Sequence, residues 1–230
     1  MAVLSIVIPA YNEERYIGTL LKQIKAVDLA RFSLDKEIIV VDDCSTDRTA
    51  AIVAEESGVL LHRMARNGGK GRAVRAGIEA ATGEYLIIQD ADLEYDPNDY
   101  VPMLRTLISD EADVVYGSRY MGHGRHANQS RAAYLGGRSL GVVAAIFTGR
   151  FLSDSVTAYK LFKRRELAAL PLETTGFELD HEITARMLAR GARIAEVPIG
   201  YRPRSRKEGK KIGLRDWFIG FRTFWRYRNG

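Results

Sequence analysis

The sequence predicts an α/β protein built on a doubly wound, mostly parallel sheet. Short apolar runs without a polar break, typical of strands buried on both faces, alternate with helical patterns through the first half of the chain. Two of these runs end in acid: residues 38–41 precede Asp42 and Asp43, and residues 85–88 precede Asp90, Asp92 and Glu94. Open α/β sheets bind ligands beyond the carboxyl ends of their strands, so we expect both acidic groups at one ligand-binding edge.

The first half reads as a regular alternation of strands and helices. Strands are predicted at residues 3–8, 38–42, 59–62, 85–88 and 113–116, and helices at 12–24, 50–56, 73–80 and 97–109. In the first helix, Ile17, Leu20, Leu21 and Ile24 keep helical spacing. Ser45 or Thr46 is a suitable N-cap for the second helix, whose exposed amides would favour an anion.

Beyond residue 120 the alternation gives way to a more helical pattern. We expect a long helix at 131–147, a β-like segment within 153–162, an amphipathic helix at 177–190, a last strand at 193–199 and a C-terminal helix at 214–225. The final helix carries an aromatic stripe beside basic residues, which suits either packing on the domain or a membrane interface.

Composition limits the class of protein. At 230 residues with 46% hydrophobic and 27% charged side chains, the chain is expected to form one soluble domain. It has no run of 18 apolar residues that would span a membrane, and its single Cys44 suits a reducing cytoplasm. The net charge of +5 is concentrated from residue 202 onward, so an anionic partner is expected: phosphate, anionic lipid or nucleic acid.

Two local motifs each allow two interpretations. The Asp-Ala-Asp sequence at 90–92 suits a hard divalent cation that also holds substrate phosphates, or a solvated loop before the next helix. The glycine-rich residues 67–71 suit a phosphate cradle with Lys70 as a point charge, or a plain turn, because the P-loop spacing and hydroxyl residue are missing.

Taken together, the motifs resemble the inverting family-2 glycosyltransferases with the GT-A fold, and within them the dolichyl- or polyprenyl-phosphate mannose and glucose synthases. The resemblance extends over essentially the whole chain. The matching segments are VIPAYNEE at 7–14, VDDCSTD at 41–47, NGGKG at 67–71, QDADLE at 89–94, GSR at 117–119, EVPI at 196–199 and GKK at 209–211. Cys44 and Ala158 depart from it, because many relatives have glycine there, and we expect the turn to tolerate Cys44.

The resemblance implies roles for individual residues. Donor contacts are expected from Pro9, Tyr11, Glu13, Asp42, Asp43, Lys70, Gln89 and Asp90, and a Mg or Mn ion from Asp90, Asp92 and Glu94. Phosphates of donor or acceptor would meet Arg119, Arg131, Arg204 and Lys210. Asp92, Asp154 and Arg119 are the expected catalytic residues, with Asp154 near the reacting centre. Residues 1–119 would form the nucleotide-sugar half, 120–211 the acceptor half, and 212–230 an amphipathic tail helix.

The implied activity is transfer of a hexose from a GDP-mannose or UDP-glucose type donor to polyprenyl or dolichyl phosphate. The protein would be cytoplasmic, with peripheral contact to the inner membrane face through its tail. A saccharide hydroxyl acceptor is the alternative, and it would need a carboxylate base such as Glu178, Asp180 or Glu182. A non-enzymatic binder of nucleic acid or acidic lipid is a remote alternative, because the acidic edge would repel a polyanion. We therefore expect no nucleic-acid partner.

Overall fold

The computed structural model describes residues 2–109, 112–121, 131–203 and 214–230. Its centre is a sheet with the strand order β3-β2-β1-β4-β6-β5-β7. The strands are β1 Ala2–Ala10, β2 Leu34–Asp42, β3 Val59–Arg63, β4 Tyr85–Ile88, β5 Val114–Ser118, β6 Lys160–Lys163 and β7 Ile194–Pro198. All neighbouring strands pair in parallel except β6, which runs antiparallel to both β4 and β5. The carboxyl ends of β1, β2, β4 and β5 therefore meet at one edge, as the sequence predicts.

Helices cover both faces of this sheet. They are α1 Ile17–Ala26, α2 Thr49–Ala54, α3 Lys70–Ala80, α4 Tyr100–Ser109, α5 Arg131–Thr148, α6 Arg164–Ala168, α7 Leu179–Ala189 and α8 Leu214–Tyr227, with short 3-10 turns at Ala30–Phe32 and Pro97–Asp99. One core layer packs α1 and α4 on the sheet through residues such as Leu20 and Leu104. The opposite layer packs α3 and α7 through Val74 and Ile183. The doubly wound arrangement is confirmed.

Three features of the second half differ from expectation. β6 is an antiparallel strand inserted between two parallel ones, and the short helix α6 that follows it was not predicted. Helix α7 is not amphipathic, because its polar side chains at Asp180, Glu182 and Arg186 are also buried. It lies between the sheet layer and α8, so both of its faces are covered.

The aromatic stripe of the C-terminal helix α8 is partly packed on the domain and partly exposed. Phe224 and Tyr227 are buried against α5 and α7, whereas Phe218, Phe221 and Trp225 are exposed. Trp217 anchors the helix by donating a hydrogen bond from Nε1 to Ser139 Oγ at 2.9 Å. Across the described ranges, no helix is both long enough and apolar enough to cross a membrane.

Candidate active site

The acidic turn after β4 lies at the ligand-binding edge of the sheet. Asp90, Asp92 and Glu94 are all partly exposed. Asp92 Oδ1 accepts a hydrogen bond from the Glu94 amide at 3.1 Å, and Glu94 Oε2 accepts one from Tyr201 Oη at 2.7 Å. Leu93, between them, has a φ of 59°, a left-handed conformation that a leucine seldom adopts. Such strain is typical of functional sites, where the surrounding structure must hold the backbone in place.

The second acidic group, at the end of β2, is more deeply buried than the first. Asp42 is fully buried: its Oδ1 accepts from the Ser45 amide at 3.2 Å, and its Oδ2 lies 3.5 Å from Arg63 Nε. That Oδ2 has no hydrogen-bond donor within the described residues. Cys44, which follows, has a φ of 65°, so this turn does adopt the backbone that favours glycine, and it accommodates the side chain.

The loops after β1 and β2 are tied together by reciprocal hydrogen bonds. The Asn12 amide donates to Ser45 Oγ at 3.0 Å, and Asn12 Oδ1 accepts from the Thr46 amide at 2.9 Å. Ser45 is therefore engaged with the neighbouring loop, and the expected capping of α2 by Ser45 or Thr46 is wrong. The N-cap is Arg48, which makes no side-chain capping bond, and Asp47, one residue earlier, accepts from the Thr49 amide at 2.9 Å.

These loops hold the residues expected to contact a nucleotide. Tyr11 is 47% exposed, and Pro9 and Glu13 are partly buried. The Glu13 amide donates to Thr49 Oγ1 at 2.8 Å, which links the start of α1 to α2. The exposed ring of Tyr11, beside the rigid pair of loops, offers a surface on which a base could stack.

The glycine-rich turn does not present its amides to solvent. Gly68 and Gly69 donate to the two carboxylate oxygens of Asp43, at 2.8 Å and 2.7 Å. The Gly71 amide donates to Thr175 O at 2.7 Å. A Cβ built on Gly69 would lie 2.5 Å from that same Thr175 O. These glycines therefore allow close contact between the turn and residues 174–176, which favours the plain-turn interpretation over a phosphate cradle.

Lys70 joins the acidic turn to α7. Its Nζ lies 2.8 Å from Asp90 Oδ1 and 3.1 Å from Asp180 Oδ2, and its side chain is 9% exposed. Burial alone would lower the pKa of Lys70, but the carboxylates of Asp180 and Asp90 raise it above its ordinary value. Lys70 is therefore a charged group held between two carboxylates.

Arg119 and Asp154, both expected to be catalytic, contact each other. Arg119 Nε lies 2.7 Å from Asp154 Oδ2 and Nη2 lies 2.8 Å from Oδ1, a two-pronged pairing. Asp154 is fully buried, and its amide donates to Glu196 Oε1 at 3.0 Å. The Arg119 guanidinium also stacks over the Tyr201 ring, 5.3 Å from its centroid. The buried Asp154 thus orients Arg119 and has no surface for a substrate.

The three carboxylates considered as general bases differ in their accessibility. Glu182 is fully buried and accepts hydrogen bonds from the Glu173 and Thr174 amides and from Arg186 Nε. Asp180 is also buried; although burial raises a carboxyl pKa, Lys70 and Lys160 hold that of Asp180 below its ordinary value. Glu178 is partly exposed just before α7, where its Oε1 accepts from the Gly176 amide at 3.2 Å.

The remaining expected residues occupy different settings. Gln89 is fully buried, with its Oε1 accepting from Tyr100 Oη at 2.9 Å and its Nε2 donating to Asp90 O at 3.0 Å. Arg131 is exposed at the first residue of α5. Arg204 and Lys210 lie outside the described residues.

Three residues at this edge were missed by sequence reasoning. Lys160 is fully buried at the start of β6, Glu196 holds the loop that carries Asp154, and Tyr201 holds Glu94. For Lys160 and Glu196 a signal exists in the sequence, because a charged residue within a short apolar strand needs a buried partner. That signal points to the residue but not to its partner.

Comparisons with known proteins agree with this architecture. Residues 5–165 match the family model described as Glycosyl transferase family 2. The dolichyl-phosphate hexose transferase of Haloferax volcanii is 32% identical over 203 residues, 88% of this chain and 84% of that protein. The dolichol-phosphate mannosyltransferase of Pyrococcus furiosus is 30% identical over 219 residues, 91% of this chain.

A solved structure gives the same fold. Glucosyl-3-phosphoglycerate synthase from Mycobacterium tuberculosis, in complex with Mn2+, uridine diphosphate and phosphoglyceric acid, superposes with a TM-score of 0.75 at 22% identity. The alignment covers 100% of this chain and 79% of that one. The fold and the acidic sheet edge define a glycosyltransferase with the GT-A fold.

The chain belongs to glycosyl transferase family 2, and the resemblance to the dolichyl- and polyprenyl-phosphate sugar synthases is confirmed by the relatives it matches. It spans 59% of the length of the Pyrococcus relative and 48% of that of a Haloferax volcanii hexosyltransferase, Agl6.

Proposed function

We propose that this glycosyltransferase transfers a hexose, with inversion, from a GDP-mannose or UDP-glucose type donor to polyprenyl or dolichyl phosphate. Residues 1–119 supply the nucleotide-sugar half of the site and residues 120–211 the acceptor half. The names of the dolichyl-phosphate relatives support the acceptor class. A nucleotide-sugar donor is supported by the uridine-diphosphate complex of the structural neighbour.

A divalent cation, Mg or Mn, is part of this proposal. Within the parts of the chain that the structure describes, no three His, Cys, Asp or Glu side chains group closely enough to cage a metal. A Mg2+ ion needs only one or two carboxylates when waters and substrate phosphates complete its shell, so the partly exposed acidic turn fits it. Of the three expected ligands, Asp90, Asp92 and Glu94, one or two would hold the ion, and water and substrate phosphates would complete its shell. When bound, it would neutralise charge developing on the leaving diphosphate.

The acceptor assignment rests on one observation: the burial and the bonding partners of the carboxylates near the site. Glu182 is buried and accepts hydrogen bonds from backbone amides and Arg186, and Asp180 is buried beside Lys70 and Lys160, so neither is available to take a proton from a sugar hydroxyl. A phosphate monoester is already ionised near neutral pH and needs no base. Its oxygen forms the new bond to the anomeric carbon as the bond from that carbon to the diphosphate oxygen breaks. Both electrons of the broken bond leave with the nucleoside diphosphate.

Cationic side chains are needed to bring two anions together. Arg119 is held in a fixed orientation by Asp154 and stacked on Tyr201, with a side chain that is 13% exposed. Arg131, Arg204 and Lys210 are the further phosphate contacts that we propose. Guanidinium groups suit this task because they bind phosphate oxygens in a fixed planar fork.

Contact with a membrane surface completes the proposal. The exposed Phe218, Phe221 and Trp225 lie on α8 beside the exposed Arg215 and Arg222. A helix of this kind lies in the interface plane, with its aromatic face among the acyl chains and its cations at anionic headgroups. We place the protein in the cytoplasm, peripherally attached to the inner face of the cell membrane.

The test is donor turnover with and without a short polyprenyl phosphate. The purified protein is incubated with Mg or Mn and a panel of UDP- and GDP-sugars, and lipid-linked sugar and released nucleotide are measured. Asp92→Ala should abolish transfer, whereas Asp35→Ala, an exposed carboxylate at the opposite end of β2, should not change it. No transfer to the lipid with any donor would overturn the proposal.

The saccharide-acceptor alternative depends on Glu178, the one partly exposed carboxylate of the three candidate bases. If Glu178 takes a proton from a hydroxyl, Glu178→Gln should reduce turnover by about 100-fold or more. If the acceptor is a lipid phosphate, the same variant should retain most of its turnover.

A further inference from the structure

Four charged side chains from four elements form a continuous, mostly buried group that ends at Asp90 in the acidic turn. They are Lys70 at the start of α3, Asp90 after β4, Lys160 at the start of β6 and Asp180 in the first turn of α7. Asp180 is central: its Oδ2 lies 3.1 Å from Lys70 Nζ and its Oδ1 lies 3.8 Å from Lys160 Nζ. Two ammonium groups face two carboxylates, so the group is balanced in charge.

Lys160 contacts Asp180 on the side away from Lys70. It is fully buried, donates to the backbone carbonyls of Asp180 and Thr157, and lies over the Tyr116 ring at 4.9 Å. Asp180 Oδ1 is buried and has no hydrogen-bond donor within the described residues. Its interaction there is therefore electrostatic, and Lys70 supplies the hydrogen bond to the other oxygen. Removing the carboxylate would leave two buried cations facing only Asp90.

Hydrogen bonds to backbone carbonyls also join α3 to the segment that leads into α7. Arg75 of α3 donates to Thr174 O at 2.7 Å, and the Gly71 amide donates to Thr175 O at 2.7 Å. The Phe177 ring, 69% exposed, lies 5.7 Å from Lys70 Nζ. The segment that leads into α7 thus packs against the glycine-rich turn at residues 67–71, and the Lys70 side chain contacts both.

We propose that Asp180 is a positioning residue: by holding Lys70 against Asp90, it fixes the acidic turn of the donor site to helix α7. This role rests on the proposed function, because the acidic turn is the part that would meet the donor diphosphate. It differs from the general-base role considered for Asp180, in which the carboxylate would act on an acceptor hydroxyl and leave donor binding untouched.

The experiment measures binding of UDP and of GDP, each with MnCl2, by calorimetry on the full chain. The variants are Asp180→Asn, Lys70→Met and the double variant, with folding checked by thermal unfolding. Each single variant should raise the Kd of the preferred nucleotide by about 10-fold to 100-fold, the loss typical when a supporting partner of a site residue is removed. The double variant should bind the nucleotide no more weakly than the weaker-binding single variant, because the two substitutions remove the same contact.

Arg186→Met is the matched control for damage to α7. It breaks the buried pair of Arg186 with Glu182, at 2.9 Å, on the same helix. It should lower the thermal stability and leave the nucleotide Kd unchanged.

The possible failures can be told apart. If the wild-type protein binds neither nucleotide, the proposed function fails and this inference with it. If the wild type binds but Asp180→Asn binds equally well, or if the two single effects multiply in the double variant, only the inference is overturned. If Asp180→Asn does not fold, Lys70→Met tests the same contact by removing the other partner. An unchanged Kd in Lys70→Met would overturn the inference.

Discussion

Arg119 and Asp154 form a two-pronged ion pair in which the carboxylate is fully buried, with Nε to Oδ2 at 2.7 Å and Nη2 to Oδ1 at 2.8 Å. The Arg119 amide also donates to Asp154 Oδ2, at 3.1 Å. Asp154 therefore accepts three hydrogen bonds from one residue. Asp154 therefore orients Arg119, the side chain that we propose to contact phosphate.

Asp154→Asn should destabilise the protein by roughly 3–5 kcal/mol, because removing one partner leaves a buried guanidinium uncompensated. The free energy of unfolding in urea would measure this loss. Glu166→Gln removes the partner of the exposed Arg165, at 3.0 Å, and should cost less than about 1 kcal/mol. Equal losses in the two variants would contradict a structural role for the buried pair.

Gly69→Ala should be far more damaging than Gly58→Ala. Both glycines have a positive φ, 87° and 72°, but Gly69 also has a ψ of 162°, a combination that essentially only glycine adopts, so its backbone cost is expected to be the larger. Only at Gly69 would the new Cβ meet the backbone, at 2.5 Å from Thr175 O, whereas nothing lies within 4 Å at Gly58.

Thermal unfolding of the two glycine variants measures the combined conformational and steric cost at each position. Gly69→Ala should also weaken nucleotide binding, because it pushes the turn away from residues 174–176. Similar melting temperatures for both variants would show that this close contact is not important.

Much of the first half was predictable because its information is local. Unbroken apolar runs identified the strands, and the acid at their ends identified the sheet edge. The spacing of Ile17, Leu20, Leu21 and Ile24 identified the buried face of α1, and all four are fully buried. These patterns need no knowledge of a distant partner.

The second half was harder because its elements are defined by distant contacts. The antiparallel direction of β6 depends on strands far away in the chain, and no periodicity encodes it. Helix α7 is covered on both faces, so its polar residues pair with Lys70 and Arg186 rather than mark a solvent face. Arg119 and Asp154 stand 35 positions apart, and their pairing becomes visible only in the fold.

Acid should weaken the fold through His181. Burial lowers the pKa of His181 to about 4, and its Nδ1 is buried with no hydrogen-bond partner within the described residues. Between pH 6.5 and 4 the unfolded chain takes up a proton that the folded chain does not, so stability is lost as the pH falls. From pH 7 to 4.5, His181→Leu should lose about 1–3 kcal/mol less unfolding free energy than the wild type.

Asp99 titrates in the opposite sense and serves as the control. Burial raises the pKa of Asp99 to about 6, although the Gly200 amide donates to its Oδ2 at 2.9 Å. Its folded form keeps a proton that the unfolded form has lost, so this contribution is lost as the pH rises from about 4 to 6. Asp99→Asn should therefore become relatively more stable toward pH 7, and a shift of the two variants in the same direction would contradict the assignment whose predicted direction is not observed.

The exposed aromatic face of α8 should bind anionic membranes. Phe218 and Trp225 are 65% and 53% exposed. They are seven residues apart, so they lie on the same face of the helix, beside the exposed Arg222. Phe224 and Tyr227 already hold the helix to the domain, so Phe218→Ala with Trp225→Ala should leave the fold intact.

Sedimentation with vesicles containing phosphatidylserine should show a loss of binding in this double variant. Leu60→Ala, on β3 and 51% exposed, is the matched control and should bind like the wild type. Because the attraction includes the arginines, binding should also weaken as salt rises from about 0.1 M to 0.5 M. Equal binding of the double variant and the wild type would show that α8 is not the membrane contact.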